Sequence, residues 1–197
     1  VYNAENTIHE TLNSIVQQTY KNLDIVILDN ASTDNTIGII AKFDDSRIRI
    51  HRNAINIGGE KNFNLCIQFA KGKYTAIFHA DDVYEPEMIE LQVAFLEENI
   101  KVAAVFTEAT LIDESGKNIG KIKTPKELRL PCRLFNFEII FKTLLRNSNF
   151  FICPSVMVRT EVYQQDMRCW RWEMFGSSAD LDMWLRIVQR YFIGIIP

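Results

Sequence analysis

Apolar positions along the chain recur in two rhythms. In residues 5–18, Ile8, Leu12, Ile15 and Val16 fall on one face at helical spacing, which predicts a helix that Asn3 could cap. Residues 23–28 (Leu-Asp-Ile-Val-Ile-Leu) form a short run rich in β-branched side chains, the mark of a buried parallel strand. The run ends in Asp29-Asn30-Ala31-Ser32-Thr33-Asp34-Asn35-Thr36, a dense cluster of turn and cap residues, and a helix with Ile37, Ile40 and Ala41 inward should follow. Residues 47–51 read as the next strand, and 53–59 as a loop in which Gly58-Gly59 are free to take unusual dihedrals. A helix over 60–70 would bury Phe63, Cys66, Ile67 and Ala70 and stop at Gly72. A strand is expected over 74–78. Pro86 then opens a helix with Met88, Leu91, Phe95 and Leu96 inward, and 102–106 is a further strand.

This alternation predicts an α/β fold, a mostly parallel sheet with helices on both faces. Beyond about residue 108 the pattern loosens. A hairpin is expected over 111–122 around Ser115-Gly116, an amphipathic helix over 134–145, a strand over 152–158 and a helical turn over 160–163. A helix over 180–191 would bury Leu181, Trp184, Leu185 and Val188, and 193–196 would be a last strand. The expected organisation is one domain over 1–197. Its regular half, 1–108, would bind a first ligand, and its less regular half, 109–197, would shape the pocket of a second substrate.

Composition narrows the partners. With a net charge of −3 nothing global argues for nucleic acid, and none is expected as a partner. Lys117, Lys121, Lys123, Lys126, Arg129 and Arg133 nevertheless make a basic stretch, either a solvated face or a surface for anionic lipid or an anionic acceptor. Cys66, Cys132, Cys153 and Cys169 show neither metal-ligand spacing nor a CxxC pair, so free thiols in a cytoplasmic protein are expected. No apolar run is long enough to span a bilayer. The chain starts at Val1-Tyr2-Asn3 without Met, as expected of part of a longer polypeptide.

Candidate chemistry lies in three acidic places: Asp29-Asn30 after the first predicted strand, Asp81-Asp82 after the strand over 74–78, and Asp180 with Asp182 at the start of a helix. Ends of parallel strands share one edge of a sheet, and ligands bind there. Asp29 and Asp82 can therefore face one crevice. Adjacent carboxylates at a strand end repel each other and lose hydration, so a divalent cation is one way to hold them and a solvated turn is the other. Asp29 with Ser32 suits a nucleobase or ribose, while Asn30, Ser32 and Asp34 could equally cap a helix. Asp180 and Asp182, two apart, cannot share a helix face, so one can enter a cleft while the other is solvated. His79 could ligate metal or be a hydrogen-bonded strand-end histidine. The stretch Met167-Arg168-Cys169-Trp170-Arg171-Trp172-Glu173-Met174-Phe175 could pack on a sugar ring or be an ordinary packed loop.

In order and spacing these residues resemble glycosyltransferase family 2, inverting nucleotide-sugar-dependent enzymes with a Rossmann-like GT-A fold. The matching segments are Val1-Tyr2-Asn3, Gln18-Thr19-Tyr20, Asp29-Asn30-Ala31-Ser32-Thr33-Asp34, Asn56-Ile57-Gly58 with Asn64, and Ala70-Lys71-Gly72-Lys73-Tyr74. They continue with Ala80-Asp81-Asp82 in place of a DxD-type motif, Pro154-Ser155-Val156-Met157-Val158-Arg159, and Ala179-Asp180-Leu181-Asp182-Met183-Trp184-Leu185-Arg186. The departures are His79 for an acid, Phe63 for an arginine, Ala179 for a glutamate, and a first strand present only in its last residues. The resemblance implies that Tyr2 stacks on the base, that Asp29, Asn30 and Ser32 hold base and ribose, and that Asp81 contacts ribose or the metal shell. It implies that Asp82 ligates Mg²⁺ or Mn²⁺ and that Asp180 is the general base. The implied partners are a nucleotide-sugar donor and a glycan or lipid-linked acceptor of cell-envelope polysaccharide synthesis, with peripheral contact at the inner face of the membrane. The alternatives are a sugar nucleotidyltransferase, for which no Gly-rich phosphate loop follows Val1, and a degenerate transferase that binds nucleotide without turnover. A receiver-like signalling domain would be shorter and would carry its acidic pair after its first strand.

Overall fold

The structure is a computed structural model that describes residues 1–129 and 134–197. Cys132 and Arg133 lie outside the described residues. The first half alternates as its periodicity predicts: α1 (Ile8–Val16), β1 (Ile25–Asp29), α2 (Thr36–Ile40), β2 (Ile48–Arg52), α3 (Gly59–Phe69), β3 (Tyr74–Ala76), α4 (Met88–Glu98) and β4 (Val102–Thr107). The second half holds the hairpin β5 (Ala109–Ile112) and β6 (Asn118–Ile122), then β7 (Leu134–Phe135) and α5 (Phe137–Asn147). It closes with β8 (Met157–Arg159), a π-helical turn at Val162–Met167, α6 (Trp172–Phe175), α7 (Ala179–Val188) and β9 (Phe192–Ile196).

β1 and β2 pair in parallel, and their register sets Asp29 opposite Arg52. The other five core strands form a sheet in the order β3-β8-β4-β9-β7. Pairing there is mixed: β4 and β9 are parallel, β8 runs antiparallel to both β3 and β4, and β7 runs antiparallel to β9. The cause lies in the connections. The long excursion after β4 returns to that strand's carboxyl end, where the Thr107 N–H donates to Ser155 Oγ at 3.2 Å. A strand that re-enters the sheet from that end must run against β4, and antiparallel neighbours need no crossover.

Helices cover both faces, as expected. On one face Ile89 and Leu96 of α4 pack on Val102, Val105, Met157 and Ile196. On the other, Ala104, Phe106, Val158, Ile193 and Ile195 meet Ile67 of α3, Ile140 of α5, and Trp184 and Ile187 of α7. α1 and α2 close a separate apolar cluster over Ile25 and Ile27 of β1. Between β1 and β3 runs a channel of about 520 Å³ lined by Leu12, Ile27, Phe69, Ile77 and Val93. Val1 sits at one end of it, in a parallel bridge to β1: its amino group donates to the Leu28 carbonyl at 2.7 Å, and its carbonyl accepts from the Asn30 N–H at 2.8 Å.

Several expectations change locally. Asn3 does not cap α1; its Oδ1 accepts from the Thr33 N–H at 2.8 Å, because Asn3 is drawn onto the turn after β1. Ala41 and Leu91 face outward, and Ile89 and Gln92 take the inner face of α4. The strand expected over 152–158 is a 3-10 turn at Cys153–Ser155 followed by β8, with Pro154 near the turn's start. α5 begins only at Phe137, where the Asn136 side chain caps it by accepting from the Ile139 N–H at 3.1 Å. Leu181 and Leu185 are half-buried, and Met183 and Ile187 join Trp184 and Val188 in the core.

Gly194 in β9 is where α4 approaches the sheet most closely, since a Cβ there would collide with the Phe95 ring. Gly194→Ala should therefore cost about 1–3 kcal/mol of stability in urea unfolding, and Phe95→Leu in the same chain should recover part of it.

Candidate active site

The carboxyl ends of β1 and β3 and the start of α7 carry the predicted acids. Asp29 is fully buried at the end of β1. Its carboxylate accepts from the Ser32 N–H at 3.2–3.3 Å and pairs with Arg52 Nε at 3.2 Å. Ala31 bends the turn with φ +62°. Ser32 Oγ accepts from the Asn3 N–H at 2.9 Å, so Tyr2 lies beside this corner with its side chain about half exposed. Asn30 serves the neighbouring loop. Its Oδ1 accepts from Asn53 Nδ2 and the Ile57 N–H, and its Nδ2 donates to Asn56 Oδ1. Asp34 makes an Asx turn just before α2, its Oδ1 accepting from the Thr36 N–H at 3.0 Å.

The turn after β3 is held by Tyr84, whose ring packs on Phe78 at 4.1 Å and whose hydroxyl accepts from the His79 N–H at 2.9 Å. This turn brings one ligand atom each of His79, Asp81 and Asp82 within 4.8 Å of one another. Asp81 is exposed and Asp82 is half-buried. Burial pushes the Asp82 carboxyl up from the ordinary carboxylate range; His79 opposes that shift and Asp81 adds to it. His79 Nδ1 faces Asp82 at 3.9 Å, and its buried Nε2 has no hydrogen-bond partner among the described residues. A strand-end histidine satisfied by side-chain hydrogen bonds is therefore not what the structure contains. Two carboxylates and an imidazole within this reach fit a divalent cation.

Asp180 opens α7. Its Oδ1 accepts from the Leu181 N–H at 2.6 Å and its Oδ2 lies 3.4 Å from Asn149 Nδ2. Cys153 ties it to the acidic turn. Burial pushes that thiol up to about 12, and the negative fields of Asp180 and Asp82 add to the shift. The rings of Phe63 and Trp170 connect His79 of this turn to Trp184 of α7, so the acidic turn and α7 lean on one aromatic cluster. Asp182 differs from its neighbour and from expectation. It is nearly buried and receives a forked contact from Arg171 and a bond from Arg186 Nε at 3.0 Å. The reason is that Arg171, eleven residues upstream, folds back onto α7.

The aromatic and arginine stretch is a strap between α7 and α3. Trp170 is core, edge-on to Trp184 at 5.3 Å and to Phe63 at 5.6 Å. Trp172 lies on Phe63 at 4.9 Å and against Gly59, where any Cβ would meet its ring. Asn64 Oδ1 accepts from the Trp170 N–H at 2.8 Å, and Glu60 from the Glu173 N–H at 2.7 Å. Phe63 also meets the His79 ring at 5.6 Å. It thus joins the acidic turn to the strap, a role that its position as an apolar helix residue did not signal.

A profile for "Glycosyl transferase family 2" matches residues 1–166. The chain belongs to that family. It is 29% identical over 98% of its length to the putative glycosyltransferase EpsE of Bacillus subtilis, of which it spans 66%. It is 37% identical over 86% of its length to an uncharacterised glycosyltransferase of Haemophilus influenzae, of which it spans 56%. With 27% identity over 99% of its length it also matches 70% of WfgD of Escherichia coli, a UDP-Glc:α-D-GlcNAc-diphosphoundecaprenol β-1,3-glucosyltransferase. The fold matches S. aureus TarS 1-349 with a TM-score of 0.77 at 19% identity, over all of this chain and 56% of that one. It matches the mannosyltransferase PcManGT of Pyrobaculum calidifontis, solved with GDP-Man and Mn²⁺, with a TM-score of 0.67 at 17% identity, over all of this chain and 52% of that one. The α/β architecture is therefore that of the GT-A glycosyltransferases.

Two outcomes follow from this geometry. Asp182→Ala leaves Arg186 without its carboxylate and should cost about 3–5 kcal/mol, whereas Arg171→Ala, at a half-exposed partner, should cost about 1 kcal/mol or less in the same unfolding assay. In brief iodoacetamide labelling at neutral pH, exposed Cys169 should react before Cys66 and Cys153, whose thiols burial pushes up to about 11 and about 12; peptide mass spectrometry reads the order.

Proposed function

We propose that the protein transfers a glycosyl group from a nucleoside-diphosphate sugar to an acceptor hydroxyl, with inversion at the anomeric carbon. The observation that carries this reading is the grouping of His79, Asp81 and Asp82 in one turn, which Phe63 and Trp170 connect to Trp184 of α7, the helix that carries Asp180 at its start. The Mn²⁺ and GDP-Man held by PcManGT support the same use of the turn. TarS solved with UDP-GlcNAc supports a donor of this class.

Asp82 would hold Mg²⁺ or Mn²⁺, with Asp81 and His79 beside it. Such a cation neutralises charge on the departing diphosphate. Tyr2 is exposed where a base can stack on it, at the corner built by Asp29 and Ser32. Asn30 acts there by fixing the 53–57 loop. Asp180 accepts the proton of the acceptor hydroxyl as its oxygen bonds to the anomeric carbon and the bond to the diphosphate oxygen breaks. Asp180 lies in the first turn of α7, where its Oδ2 is within reach of Asn149 Nδ2. The half from about residue 109 onward would shape the acceptor pocket. The diphosphoundecaprenol acceptor in the name of WfgD supports a lipid-linked acceptor, met at the cytoplasmic face of a membrane. Among the described residues no helix is long and apolar enough to cross a membrane, so the contact would be peripheral.

Asp180→Asn should lower transfer by about 10²–10⁴-fold while calorimetric binding of the donor nucleotide with Mn²⁺ stays at the parent level. Asp82→Asn should weaken that binding itself. If Asp180→Asn abolishes donor binding too, the residue is structural and the assignment of the base fails.

A further inference from the structure

Residues 115–149 carry eight basic and two acidic side chains in a chain whose net charge is −3. That segment contains α5, whose outer face is also apolar. Ile140 and Thr143 point into the core, and Phe137 and Leu144 pack half-buried against it. Ile139, Phe141 and Leu145 stand in solvent, Leu145 at 73% exposure. Phe137, Phe141 and Leu145 are four apart, so they form one ridge, and Phe141 stacks on Phe137 at 5.3 Å. Lys142 and Arg146 form the next ridge with Glu138. Lys142 pairs with Glu138 at 2.5 Å, which leaves the helix with a net positive face.

Large apolar side chains beside cations on one helix face match the interface of an anionic bilayer, where the rings enter the acyl boundary and the cations meet headgroups. The location agrees. The end of β6, with Ile122 and Lys123, lines one small cavity with Phe150 and Phe151, just beyond α5. Lys117 and Lys121 project from the same exposed hairpin. Asn149, between α5 and that cavity, reaches Asp180. The basic apolar surface thus borders the candidate acceptor side of the site.

We propose that the outer face of α5, with Phe141 and Leu145 inserted and Lys142 and Arg146 against headgroups, docks the protein on an anionic lipid bilayer. The inference deepens the reading of a lipid-linked acceptor above and rests on it for its purpose. It names the surface that would bring Asp180 to the interface where such an acceptor lies.

The test is flotation of the whole chain with phosphatidylcholine vesicles and with vesicles containing about one quarter phosphatidylglycerol. Binding to the anionic vesicles should exceed binding to the neutral ones by about tenfold or more and should fall with added salt. F141S/L145S should weaken binding by about 100-fold, and K142E/R146E by about tenfold or more. These side chains are exposed, so the melting temperatures of the variants should stay near the parent's; a variant that melts early is replaced by Leu145→Ser alone, for which about tenfold is expected. Parent binding that ignores lipid charge, or variants that bind as the parent does, would overturn the proposal. So would a parent dimer in sedimentation that F141S/L145S dissociates, since the face would then be covered by a second copy. A thermal shift with UDP and Mn²⁺ on the same samples separates the two claims. A shift without vesicle binding sinks the surface alone, and vesicle binding without a shift for any nucleoside diphosphate sinks the transferase reading alone.

Discussion

Each carboxylate near the carboxyl edge of the sheets must have its charge met, and how it is met divides structure from chemistry. Asp29 is answered by Arg52, which the β1–β2 register sets opposite it. Asp182 is answered twice, by Arg171 and Arg186. Asp81, Asp82 and Asp180 have no lysine or arginine partner among the described residues, and Asp82 is raised by burial besides. Leaving such groups open costs stability. The chain leaves three of them open while it neutralises their neighbours, and that contrast gives the site its polarity.

The same edge explains the plan of the second half. The chain between β4 and β8 comes back to the side where these acids lie, and the return strand is antiparallel for that reason. The corner after β1 is built by rigid turns that spend their hydrogen bonds internally, through Asp29, Asn30 and Ser32. The facing wall is built by α7 and the strap, which lean on α3 through Phe63, Asn64 and Glu60. One helix therefore supports both walls.

Much of this was legible in the residue pattern. Helical and strand periodicity located every element up to β4, because those elements bury one face or two and show it in their spacing. The hairpin around Ser115-Gly116 and the last strand were legible for the same reason. The direction of β8 was not, since it depends on where a 49-residue excursion ends and not on its own three residues. The acids could be named but not sorted. Asp182 reads like Asp180 until Arg171 folds back on it, and no spacing along the chain shows that contact. Phe63 reads as an ordinary core residue, and only three-dimensional proximity makes it the contact between His79 and Trp172.

The strap has one more consequence, for how the molecule can be observed. The chain has three tryptophans, and all of them are in this one junction: Trp170, Trp172 and Trp184. Trp170 bridges Trp184 and Phe63, and Trp172 shares Phe63 with it. Intrinsic fluorescence of the native protein is therefore a local signal, silent about α1, α2 and the β1–β2 pair. An emission change on adding a nucleotide reports on the wall between α3 and α7, and a melting curve followed at these indoles records the release of that wall.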